Sequence, residues 1–425
     1  MKTSSFLLKQ GSISTTSTIL LLILSLLFVN WQINILGIEK YGLLVLLLSI
    51  FGTINMLNIG IGTAIVDYYT KFGEEKSVFW SIYIASFLIL IILSGIIVLT
   101  GSIFYQNIFS FLALEKENLN LMTFYGVSLI GISRLLSSIT LSYWVAKVDF
   151  FKLKLFGFIN IYLPISVILV LYSYGLAFNK SLFFAGIINF IFIIALTGNI
   201  ILSVINIKTL NIMKNFKIHF KKFISDGLQF QGIAIINNLS NPIINIMINT
   251  YFGLEAISLF DIALKFLRSG RQIIVSATEP FFGKITQLHN QNKKRLMHLL
   301  VRKYTKYMMI VGLLYIVMTF SFSNFILTLW MGKDITFKTY YIVNIITIGF
   351  AINLSASIIY NKFLAVKRLR KYVLIHQIIL FVLSIAPFLL KLEDMQEYSI
   401  YYSISFIISS LYLLAIFYSQ KRRIY

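Results

Sequence analysis

Between Leu259 and Glu279 an apolar stretch carries Asp261, Lys265, Arg268, Arg271 and, at its end, Glu279. On a helix at about 100° per residue, Lys265, Arg268, Gln272 and Glu279 fall within about 40° of Asp261, with Arg271 about 80° to one side. The implied chemistry is recognition of an anion. Arginine's planar fork meets phosphate oxygens bidentately, so Lys265, Arg268 and Arg271 are expected substrate-binding residues. A private ion pair between Asp261 and Lys265, at i and i+4, is the competing reading. It leaves Arg268 and Arg271 to be explained.

A second stretch just upstream holds Gln229, Gln231, Asn237, Asn238, Asn241, Asn245 and Asn249 around Pro242. Most of these amides share roughly a 120° sector of a helix. Amides donate and accept, which suits sugar hydroxyls, with Gln231, Asn237, Asn241 and Asn245 as expected ligands. Hydrogen bonding between membrane helices is the other use of such a seam. Pro242 is expected to kink or open its helix. Arg134 stands alone inside another apolar stretch. Its partner must come from a second helix or from substrate, and it completes the expected anion-binding set. Lys306 and Lys362 are expected to snorkel from span ends, and His376 is expected to be hydrogen-bonded more than proton-carrying.

No other constellation points to chemistry. There is no Cys, and His219, His289, His298 and His376 lack metal-ligand spacing. No phosphate-binding loop is present, and the loops opposite the basic ones are short. No metal, no cofactor and no enzymatic activity are expected.

The elements that must position these residues follow from composition. Of 425 residues 58% are hydrophobic and 12% charged, with mean hydropathy +0.85. An average soluble domain has about 25% charged residues, so an ordinary soluble protein is excluded. The long charge-free runs exclude a β-barrel, whose strands read as alternating segments of about 10 residues. The expectation is an all-α polytopic membrane protein of about twelve transmembrane helices in two pseudo-symmetric six-helix lobes around a central cavity. The spans fall near 13–36, 42–66, 77–101, 121–144, 155–175, 183–206, 227–250, 257–280, 304–329, 339–363, 372–390 and 399–419.

Alternate loops, counted with both termini, carry 25 Lys and Arg against 6 on the other side. By the positive-inside rule both termini are cytoplasmic. Most of the net charge of +22 is therefore topology and requires no nucleic acid. The basic segment 207–226 divides the chain into expected lobes 1–206 and 227–425. It reads equally as an interfacial helix or as a solvated loop.

Leu36-Gly37-Ile38-Glu39 closes the first span, and Phe252-Gly253-Leu254-Glu255 closes the seventh, 216 positions later. A repeat of six spans keeps both halves in one orientation, with a pseudo-two-fold axis along the membrane normal. That is the architecture of an alternating-access carrier.

The segments Leu36–Gly42 (LGIEKYG), Leu57–Ala64 (LNIGIGTA) and Leu259–Phe266 (LFDIALKF), set in this span pattern, resemble the Wzx-type oligosaccharide-lipid flippases. That family shares a superfamily with the multidrug/toxin extruders. The resemblance runs the length of the chain, through diffuse motifs. It implies a cationic cavity lined by the first, second, seventh and eighth spans. It implies an undecaprenyl-pyrophosphate-linked oligosaccharide repeat as substrate, moved to the outer leaflet of the bacterial inner membrane for O-antigen or related polysaccharide. A polysaccharide polymerase and a chain-length regulator are the implied partners. Ion coupling is implied as well, with Asp261 as the coupling acid. The alternatives are a multidrug cation exporter, which needs acidic walls, and a polymerase or ligase, which needs larger outer loops.

The orientation is directly testable. Alkaline phosphatase fused after Lys116 is expected to be active outside the cell, and after Lys217 inactive. Reversed activities would contradict the charge assignment.

Overall fold

The computed structural model describes residues 2–58, 61–62, 65–66, 69, 77–114, 119–147, 149–202, 212–276, 285, 288, 291, 293–366, 369–390 and 392–419. Side chains at 2–15, 17, 18, 57, 77, 78, 150, 212–234, 237, 276 and 365 lie outside that description. The helices are α1 (Lys2–Leu36), α2 (Ile38–Phe51), α3 (Ser77–Phe111), α4 (Leu121–Ala146), α5 (Phe150–Ser173), α6 (Phe178–Leu202), α7 (Ile212–Ser276), α8 (Lys294–Met331), α9 (Lys333–Ala365), α10 (Arg370–Ile385) and α11 (Met395–Ser419). Tighter 3-10 turns follow α2 over Gly52–Asn58 and α10 over Ala386–Leu390. Eleven helical stretches among the described residues are long and apolar enough to cross a membrane. The protein is an all-α polytopic membrane protein. Helices suit hydrocarbon because they satisfy every backbone polar group internally.

The seventh and eighth expected spans both lie in α7, divided at Gly253. Gly253 has φ 84° and ψ −180°, and Gly37, between α1 and α2, has φ 79° and ψ 164°. The two glycines of the sequence repeat thus share one left-handed, extended conformation. A Cβ at either would meet no atom within 4 Å, so the constraint is the backbone itself. Gly332 repeats it between α8 and α9, with φ 83° and ψ 170°. Each glycine is followed two residues later by an acid (Glu39, Glu255 and Asp334). An acid so placed favours the positive end of a helix dipole. α7 keeps helical dihedrals through Pro242, so the helix does not open there. Proline's fixed φ fits a helix, and only the bond to the Asn238 carbonyl is forfeited.

The described chain divides into two compact units. The first comprises Met1–Leu21 and Gln32–Pro242. Its centre is α4, which buries Thr123, Ser128, Ser133, Ser137 and Thr140. Small residues let membrane helices approach closely. A Cβ on Gly186 would stand 2.5 Å from the Gly126 carbonyl oxygen, so α4 and α6 touch backbone to backbone. Thr140 and Thr197 bond at 2.9 Å, and Asn160 Nδ2 donates to Ser137 Oγ at 2.7 Å.

The second unit comprises Leu22–Trp31 and Ile243–Tyr425. Its centre is α9, the fourth span of the second set of six, as α4 is of the first. It packs mainly on α8 and α11. A Cβ on Gly349 would stand 2.6 Å from the Ser403 carbonyl oxygen. On α11 the buried seam is largely hydroxylated, with Tyr398, Ser399, Tyr402, Ser403, Ser405, Ser409 and Ser410. Trp330 Nε1 donates to the Leu26 carbonyl at 2.7 Å. Lys362 departs from the snorkelling expectation: it is 2% exposed, with its ammonium 4.6 Å over the Phe417 ring. It faces the α9–α11 contact, and the aromatic face takes the place of water.

Replacing Gly253 by Val is expected to cost roughly 1–2 kcal/mol, from the left-handed backbone alone. Gly95→Ala, helical and with open space around its Cβ, should be neutral or stabilising. Thermal unfolding of the two detergent-purified variants checks this, and equal melting points would contradict it.

Candidate functional site

After Gly253, α7 carries the charged stripe. Lys265 Nζ lies 2.8 Å from Asp261 Oδ2, so the expected i, i+4 ion pair forms. One turn further on, Arg268 is exposed and reaches the Tyr402 hydroxyl. Gln272 is also exposed, while Glu279 lies outside the described residues. The stripe thus presents Arg268 beside a lysine whose charge a carboxylate already balances.

Arg271 does not join that stripe. Its offset of about 80° turns it into the second unit. There Nη2 donates to Asn353 Oδ1 at 2.8 Å, and Asn353 Nδ2 donates onward to Ser410 Oγ at 3.1 Å. The guanidinium carbon lies 5.7 Å from the centre of the Phe350 ring. Arg271 Nε is buried with no hydrogen-bond partner among the described residues. The same helical turn is held from α8, where the Tyr315 hydroxyl donates to the Leu267 carbonyl at 2.9 Å. Three helices therefore fix the segment from which Arg268 projects.

Arg134 lies in the first unit. Projecting from α4, its Nη1 lies 3.4 Å from the Leu48 carbonyl of α2. Just beyond, α2 tightens into its 3-10 turn. A cation there meets the negative end of a helix dipole. A Cβ on Gly52 would stand 3.4 Å from the same Nη1, an ordinary contact. Arg134 Nε is buried without a hydrogen-bond partner among the described residues. Of the two partners expected for Arg134, a second helix or substrate, the structure supplies α2, through its main chain.

Along the amide seam Asn238 and Asn241 are exposed, Asn245 is half-buried and Asn249 is buried. The side chains of Gln231 and Asn237 lie outside the described residues. The sequence reading missed Asn353, Ser410 and Tyr315. Their signal was the run of Ser and Tyr on α11 and the asparagines Asn344, Asn353 and Asn361 along α9, which become legible only once three helices are seen to converge on Arg271.

No protein-family model matches the chain, and comparison with curated proteins gives no match. Solved structures do resemble it. An inward-facing multidrug resistance MATE family transporter of the MOP superfamily superposes with TM-score 0.72 at 14% identity, over 93% of this chain and 94% of that one. The lipid II flippase MurJ, in an inward closed conformation, gives 0.69 at 18% identity, over 95% and 86%. A Vibrio cholerae MATE transporter mutant gives 0.64 at 12% identity, over 100% and 99%. At these identities the likeness is one of fold, shared with membrane transporters and a flippase.

The Arg271 network makes a measurable claim. Asn353→Leu removes the acceptor of a buried guanidinium and is expected to destabilise by about 1–3 kcal/mol. Gln272→Leu, at an exposed position, should change little. Thermal melts of both variants in one detergent decide this, and an unshifted Asn353→Leu would remove the network from the account.

Proposed function

We propose that the chain is a flippase for an undecaprenyl-pyrophosphate-linked oligosaccharide repeat. It moves the repeat from the cytoplasmic to the outer leaflet by alternating access, serving O-antigen or related surface polysaccharide synthesis. In this reading it is a carrier of the bacterial inner membrane with both termini cytoplasmic, working beside a polysaccharide polymerase. The observation that carries the reading is the sign of the charge inside the spans. Six basic side chains (Arg134, Lys265, Arg268, Arg271, Lys306 and Lys362) stand there against Asp261 and Glu279. Asp261 is already bound to Lys265. Cations held in a membrane interior are costly and mark the path of a charged substrate. Arg268, exposed and held on a fixed turn, is the proposed pyrophosphate ligand. Arg134, held against the end of α2, is a second proposed pyrophosphate ligand.

Asn238 and Asn245 make no hydrogen bond to another described residue, and with Asn241 they are the proposed sugar-facing amides. The fold likeness to MurJ, a lipid II flippase, supports the substrate class. The likeness to MATE transporters favours a second reading, export of organic cations. That reading needs acidic groups, and the one described carboxylate in the spans near this site is neutralised. Asp261 is the proposed coupling acid, with Lys265 as its counter-ion.

In cells lacking the gene, plasmid-borne wild type is expected to restore surface polysaccharide. Arg268→Gln and Arg134→Gln, present at the same protein level, should lose it while lipid-linked repeats accumulate on the cytoplasmic side. Unchanged polymer in both variants overturns the site. Drug resistance without polymer transfers the chain to the exporter reading.

A further inference from the structure

Around the Gly332 turn, Asn324, Thr328, Lys333, Asp334, Phe337 and Lys338, with Thr336, line a cavity of about 710 Å³ in the second unit. By the Lys and Arg distribution this is the side opposite the basic loops. Asn324 and Thr328 are one turn apart on α8, among Phe325, Ile326 and Leu329, which are all exposed. Asn324 lies eight residues before Gly332, about 12 Å along the helix axis. Neither its amide nor the Thr328 hydroxyl bonds another described residue. Polar groups at that depth, on a face that meets lipid, need an amphiphilic partner.

The charges identify the partner. Lys338 Nζ is bound to Glu255 Oε1 at 2.6 Å, which makes that pair internally neutral. Lys333 and Asp334 are exposed and neither has an oppositely charged partner within 4 Å among the described residues. Lys333 and Asp334 therefore stand exposed side by side at the rim, Asp334 within electrostatic reach of Lys338, with Phe337 beside them, 75% exposed.

We propose that this cavity binds a zwitterionic phospholipid whose headgroup carries a primary ammonium and a phosphate, of the phosphatidylethanolamine class. The phosphate meets Lys333, and the ammonium donates to Asp334. The glycerol ester carbonyls accept from Asn324 and Thr328, and the chains run along Phe325 and Leu329. A purely anionic lipid would bring phosphate to Asp334 with no ammonium between them. A choline headgroup has no N–H to donate. The proposal is independent of what the chain transports.

Native mass spectrometry of the full chain, relipidated in turn with phosphatidylethanolamine, phosphatidylcholine and phosphatidylglycerol, tests it. Wild type is expected to retain phosphatidylethanolamine about tenfold more tightly than the other two, a difference of about 1.4 kcal/mol. Asp334→Asn should erase that preference and Lys333→Gln should weaken retention of all three lipids, neither changing the melting point measured in lipid-free detergent. Equal retention of the three lipids by wild type overturns the proposal, whatever the variants do. So does a preference for phosphatidylglycerol, or a preference that survives Asp334→Asn.

Discussion

The structure depends on where a cation can rest inside a membrane. Moving a guanidinium away from water is costly unless other groups replace its hydration. Away from the helix ends and the Gly253 turn, the described spans offer it one carboxylate, Asp261, and Lys265 takes that. The arginines are left to carbonyls, amides, hydroxyls and aromatic faces. Arg134 uses the end of α2, and Arg271 uses Asn353 and Phe350. Each solution binds helices together, so the placement of charge and the packing of the bundle are one problem.

The two units solve it in related ways. In the first, an arginine of the fourth span reaches the main chain of the second span. In the second unit the arginine sits on the eighth span, the second of its set, and reaches the fourth of that set, through Asn353. Both units thus hold one guanidinium between equivalent helices, supplied from opposite partners. The glycine turns at Gly37 and Gly253 share their dihedrals, as two copies of one six-span plan would. What differs is the chemistry laid on that plan. The second unit adds an exposed arginine, Arg268, on a turn that Tyr315, Asn353 and Tyr402 hold from three helices.

Much of this was legible in the sequence. The apolar runs identified helical spans because lipid admits few other structures. The repeated Gly-x-Glu marked two equivalent turns because only glycine adopts their backbone cheaply. The wheel placed Asp261, Lys265 and Arg268 on one side and set Arg271 apart by about 80°. That offset is what sends Arg271 into the helix packing. The partners of Arg134 and Arg271 were not legible, because a backbone carbonyl has no sequence signature and Asn353 is 82 residues from Arg271. Pro242 does not open its helix, and the dihedrals leave the helical region at Gly253 instead. Lys362 misled: proximity to a span end permits snorkelling, but the face on which the residue sits decides it.

The central claim is that the unbalanced positive charge of the spans serves an anionic lipid-linked substrate. Its most direct test is translocation in proteoliposomes that contain only this chain. The leaflet position of a fluorescent polyprenyl-pyrophosphate saccharide would be followed beside that of an uncharged polyprenyl saccharide of the same length. The account predicts that the pyrophosphate lipid crosses, that the uncharged one does not, and that inorganic pyrophosphate slows the crossing. Equal movement of both lipids, or movement of neither while an organic cation dye is exported, would contradict it.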